Sequence, residues 1–91
     1  MNILETCRQR LLKNDHHALV DLCEALKLKG DPRFPILSAQ LELAMSEMIA
    51  ANFEPNYVVS RWQCLCVFAL RIMSPGGLKL AEAIDKATRR R

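Results

Sequence analysis

Apolar residues recur at spacings of three and four along almost the whole chain, and nowhere do they alternate with period two for more than a few residues. A backbone that turns every 3.6 residues gathers such positions on one face, whereas a pleated strand would divide them between two. The chain therefore reads as all-α. The first stripe is Ile3, Leu4, Cys7, Leu11 and Leu12, with Glu5, Arg8, Gln9, Arg10 and Lys13 opposite. Asn14 and Asp15 suit a stop and a new N-cap. The pattern resumes as Ala18, Leu19, Leu22, Cys23 and Leu26, then closes on Lys27, Lys29 and Gly30, as a helix C-terminus prefers. Asp31 to Pro35 is predicted to be a connector, because Pro35 disfavours helix at Phe34.

A third helix is expected from about Ile36 to Asn52. Leu37, Leu41, Ala44, Met45, Met48 and Ile49 face inward in this reading, and Gln40, Glu42, Ser46 and Glu47 outward. After the break at Asn52 to Asn56, the segment Tyr57 to Met73 is apolar nearly all round between Arg61 and Arg71. That is the signature of a central helix. Its Trp62, Leu65 and Phe68 are expected to meet Leu22 and Leu41 in one cluster. Ser74 and Pro75 read as an N-cap and first helical residue. The last helix then places Leu80, Ala83, Ile84 and Ala87 on its apolar side and Lys79, Glu82, Asp85 and Lys86 on the other.

Two of these segments share a pattern: Leu19-x-x-Leu22-Cys23-x-x-Leu26 aligns with Trp62-x-x-Leu65-Cys66-x-x-Ala69. Each precedes a breaker with Gly and Pro (Gly30-Asp31-Pro32 and Pro75-Gly76-Gly77) and then another amphipathic helix. Helical-hairpin repeats have this form, because one hairpin cannot bury its own apolar face. Four shared positions also fit two unrelated amphipathic helices. The expected organisation is one domain with a leading helix (1–14), a first hairpin (15–53), a second hairpin (54–88) and a basic tail (89–91). Four or five antiparallel helices would thus stack as two hairpins, in a tetratricopeptide-like array or a small bundle.

Trp62-x-x-Leu65-Cys66-x-x-Ala69, Gly30-Asp31 and Phe53-Glu54-Pro55-Asn56 together resemble the helix starts and closures of degenerate tetratricopeptide-like hairpins, over about residues 15–88. The chain departs from that family in carrying Cys23 and Cys66 where glycine is usual, and in its longer connector at 31–35. It also resembles the small helical chaperones of type III secretion needle subunits. That resemblance implies a concave apolar groove that cradles an amphipathic partner helix.

Four cysteines invite metal or disulfide readings. Cys64-x-Cys66 has the wrong spacing for a zinc knuckle, and on a helix the two thiols point about 200° apart. Cys7, Cys23 and Cys66 fall on apolar stripes, where free cysteine packs as a small hydrophobe. Four free thiols and a reducing compartment are expected. His16 and His17 stand beside Asp15, but seven residues of helix put His16 about 10 Å along the axis from Cys23; exposed polar positions are expected. Ser74 to Lys79 lacks the Gly-x-x-x-x-Gly-Lys-Ser/Thr spacing of a phosphate-binding loop. Glu42 and Glu47 diverge. Neither an enzyme nor a cofactor or metal site is expected.

Composition bears on function mainly through its apolar excess. At 51% hydrophobic by residue, 91 residues have little interior in which to hide that excess. Disorder is excluded by the apolar content, and a collagen or flexible linker by only 3 Gly and 4 Pro. The longest stretch without charge or proline in the apolar region, Trp62 to Leu70, is nine residues, against the ~18 that span a bilayer. Glu5, Arg8 and Arg10 interrupt any signal-like apolar run, so a cytoplasmic location without a secretory signal is expected. The reading that follows is a small protein-interaction module (a chaperone, adaptor or inhibitor) that covers an amphipathic segment of a partner or pairs as a homodimer. Its expected contact face is Leu37, Leu41, Met45, Met48 and Tyr57. The alternative is a nucleic-acid-binding regulator with a helix-turn-helix, since Arg89, Arg90 and Arg91 concentrate the net charge of +3 at the C-terminus.

Overall fold

The computed structural model describes residues 2–89, with side chains through 87. Five helices follow one another: α1 Ile3–Leu12, α2 Ala18–Leu28, α3 Arg33–Ala50, α4 Pro55–Ile72 and α5 Gly77–Arg89. No strand occurs among the described residues. The fold is all-α, as expected.

The first three helices end in the same way, with their last turns closed by one left-handed residue. Asn14 (φ 61°), Gly30 (φ 63°) and Asn52 (φ 53°) occupy that position. The N–H of each donates to the carbonyl three residues back, and the next residue's N–H donates five back: Asp15 to Arg10, Asp31 to Leu26, Phe53 to Met48. Those bonds satisfy carbonyls that the helix leaves open, and Gly and Asn are the residues that tolerate the conformation. Phe53 is itself left-handed at φ 52°, which is uncommon for a bulky residue.

Three predicted boundaries move, each for a capping reason. Helix α3 begins at Arg33, not Ile36. Asp31 accepts the Arg33 N–H at 2.9 Å, and Pro35 lies in the first turn, where a missing N–H costs no intrahelical bond. Helix α4 begins at Pro55, not Tyr57. The Glu54 carboxylate accepts the N–H groups of Asn56 at 3.1 Å and Tyr57 at 2.8 Å, and proline suits the first helical position. Helix α5 begins at Gly77. Ser74 does not cap it: the hydroxyl donates to the Leu70 carbonyl at 2.8 Å and so closes α4. Gly77 is pressed onto the end of α4, and a Cβ there would collide with the Arg71 and Ile72 backbone.

Successive helices are neighbours through turns of four or five residues, and α2 also touches α4, as α3 touches α5. Two hairpins side by side give these neighbours. Helix α1 touches α2 and α4 only, so it lies across the pair instead of extending the row. Helix α4 touches all four others and is the central element. Leu11, Leu19, Leu22, Leu26, Leu37, Met48, Leu65 and Ile72 are fully buried between the helices. The expected cluster forms around them: Leu22 and Leu65 are inside, with Trp62, Phe68 and Leu41 half-buried against it.

Two faces are rotated from expectation. In α5, Ala81 is buried and Leu78 and Ile84 half-buried, whereas Leu80, Ala83 and Ala87 are exposed. The close approach of Gly77 to the end of α4 constrains this rotation, and Ala81, one helical turn on from Gly77, lies on the same inward face. In α3, Met45 and Ile49 are exposed.

Charged clips join the elements. Arg10 of α1 reaches Asp15 at 2.8 Å and Asp21 of α2 at 2.6 Å. Arg33 pairs with Asp31 at 2.6 Å and donates to the Ile72 carbonyl at 3.4 Å. Arg61 of α4 pairs with Glu47 of α3 at 2.9 Å, where the Tyr57 hydroxyl also donates at 3.4 Å.

Candidate binding surface on the central helix

A helix that is apolar nearly all round needs neighbours on every side, and α4 lacks them on one. Leu65, Cys66, Ala69 and Ile72 are buried, while Val59, Gln63 and Val67, at i, i+4 and i+8, face solvent. Val59 is 57% exposed and Val67 50%, so α4 presents a two-turn strip of two apolar side chains with Gln63 between them. Arg71 continues it one turn further on and is also exposed.

Beside this strip lies a cleft of about 370 Å³. Val58, Val59, Trp62 and Cys66 form its apolar floor and wall, and Gln63 one edge. Asn14 and His16, from the turn between α1 and α2, form the other edge. The left-handed Asn14 swings the chain out of α1 and brings that turn against α4. The His16 ring then lies over Trp62, centroids 5.0 Å apart and planes 22° from parallel, with the His17 ring tilted 33° against it at 4.4 Å. His16 is thus a half-buried wall of a cleft, not the exposed polar position expected; His17 is exposed as expected.

Asp15, next to His16, is engaged by Arg10, whose hydrogen bond holds the carboxyl below its ordinary value. Cys66 is buried, and burial, with Asp15 adding to it, raises its thiol pKa. It is therefore a poor nucleophile. His16 and Cys66 share the cleft with no hydrogen bond between them. The side chains of Asn14, His16 and Gln63 make no hydrogen bond among the described residues. An apolar floor under a few unengaged polar groups is the usual form of a site that receives an apolar group and orients it.

The contact residues expected from sequence are not brought together. Leu37 and Met48 are 0% and 1% exposed and belong to the core, so they present nothing to a partner. The apolar positions of the third helix span more than one narrow stripe, and packing against α2, α4 and α5 turns Leu37 and Met48 inward. Leu41 and Tyr57 are half-buried, Tyr57 against Glu47. Only Met45, at 40%, is exposed. Ile49, at 58%, is exposed one turn further along α3, and Phe53, at 53%, in the turn that follows the helix. The side chain of Arg89 and all of Arg90 and Arg91 lie outside the described residues. The α4 strip was missed in the sequence, although its signal, a helix with one apolar face too many, was legible there.

The four thiols are unbonded: Cys7 and Cys66 buried, Cys23 half-buried and Cys64 exposed. Among the described residues, no three of His, Cys, Asp and Glu stand close enough to hold a metal ion, and no helix is long and apolar enough to cross a membrane. Comparisons with protein families, curated proteins and solved structures found no match for this chain.

Proposed function

We propose that this chain is a protein-interaction module without catalytic chemistry, which covers an amphipathic segment of a partner as a chaperone, adaptor or inhibitor does. The observation that carries the reading is the exposed strip of Val59 and Val67 beside the Trp62 cleft, on the helix that packs against every other. A rigid central helix offers a partner a preorganised surface, so little ordering entropy is lost on binding. A half-buried tryptophan in a cleft is the kind of anchor around which interface energy concentrates. A partner helix would set residues at i, i+3 or i+4, and i+7 along the strip, with one side chain in the cleft.

Affinity capture with Val59→Glu tests this reading. The glutamate should abolish recovery of the partner that the parent chain retains, with helicity by circular dichroism unchanged. Val20→Glu, at another exposed apolar position on α2, should capture normally. Equal loss from both variants, or none from either, would contradict the assignment of the face.

A further inference from the structure

Resting on that reading, we infer that the segment received by α4 is an acidic amphipathic helix, selected by a rim of donors and cations around the cleft and strip. From Pro55 to Ile72, α4 carries Arg61 and Arg71 and no carboxylate. Arg61 is taken up by Glu47. Arg71, at the far end of the strip, makes no ion pair among the described residues, and nor does Lys13, beside Asn14 at the near end. Between them stand the Asn14 and Gln63 amides, the His16 imidazole and the Trp62 indole N–H, all able to donate.

The two nearby carboxylates are both engaged. Asp15 accepts from Arg10 at 2.8 Å and from the His17 N–H at 3.1 Å. Glu54 accepts the first two free N–H groups of α4. The charged side chains around the apolar strip that make no hydrogen bond or ion pair among the described residues are the cations Lys13 and Arg71, and the Asn14, His16, Trp62 and Gln63 side chains between them can all donate, the two amides accepting as well. A partner with apolar residues on one face and carboxylates flanking them satisfies both parts of this surface, and one flanked by lysines leaves like charges facing each other at Lys13 and Arg71. Residues 59 and 71 are about 18 Å apart along the helix, so Val59 to Arg71 accommodates about three turns of a partner.

Trp62 is the chain's single tryptophan, so its emission reports the cleft directly. Two synthetic helical peptides with the same leucine face, one with glutamates and one with lysines on the polar face, are titrated into the full chain. The glutamate peptide should shift Trp62 emission and bind roughly tenfold tighter than the lysine peptide, a preference that shrinks as salt rises. Lys13→Glu combined with Arg71→Glu should remove the preference and leave leucine-face binding measurable. Equal binding of the two peptides, both lost in Val59→Glu, would overturn the charge selection and leave the apolar face standing. No binding of either would overturn the face as well. A single-stranded oligonucleotide that displaces the glutamate peptide at physiological salt would overturn the inference in favour of nucleic acid.

Discussion

Cys23 links local burial to the behaviour of the whole chain. Half-buried on α2 against the core, its thiol is pushed by burial from an ordinary value of 9.0 up to about 11. A folded pKa above the unfolded one contributes stability that is complete below the unfolded value and is lost as pH rises through the folded one. Stability to urea should therefore fall between about pH 9 and pH 11. Cys23→Ala should lose less over that interval than the parent, although it starts lower by the cost of a small cavity. Equal pH losses in the two proteins would place the alkaline sensitivity elsewhere. The acid side runs in the other sense. Hydrogen bonds from Arg10 and Arg33 depress Asp15 and Asp31, so what those pairs contribute is present above the ordinary carboxylate range and fades as pH falls below it.

At the level of elements, α4 holds the others together. Leu65 is 2% exposed, on the helix that every other one touches. Leu65→Ala should destabilise the fold by about 2–5 kcal/mol, read as a lower midpoint in urea; an unchanged midpoint would mean that α4 is peripheral. Helix existence was legible in the sequence because it rests on the spacing of apolar residues, which is local. Rotation was not. Leu80, Ala83 and Ala87 make a good stripe on paper, but the collision that any Cβ at position 77 would meet constrains how α5 lies on α4. In α3 both Met45 and Met48 fit an inward face, and only packing against α2, α4 and α5 decides that Met48 goes in. The His16–Trp62 stack was equally hidden, since it joins residues 46 positions apart through a turn whose direction depends on Asn14.

Taken as a whole, the molecule solves its apolar excess unevenly. Two hairpins side by side bury a leucine-rich interior, and α1 covers α2 and α4 from outside the row. Part of the excess is left on two surfaces, Val59 and Val67 beside the cleft on α4 and Met45 and Ile49 on α3 with Phe53 in the turn after it, and part on separate side chains such as Val20 and Leu28. Binding is proposed at the first of the two surfaces, because it is there that an apolar floor meets unengaged polar groups and an aromatic anchor. Backbone hydrogen exchange of the full chain, with and without the captured partner, distinguishes the two directly. Added protection is expected along residues 59–71 and in the turn at 14–17, with the amides at 45–53 unchanged. Protection confined to 45–53, with 59–71 exchanging as before, would contradict the account.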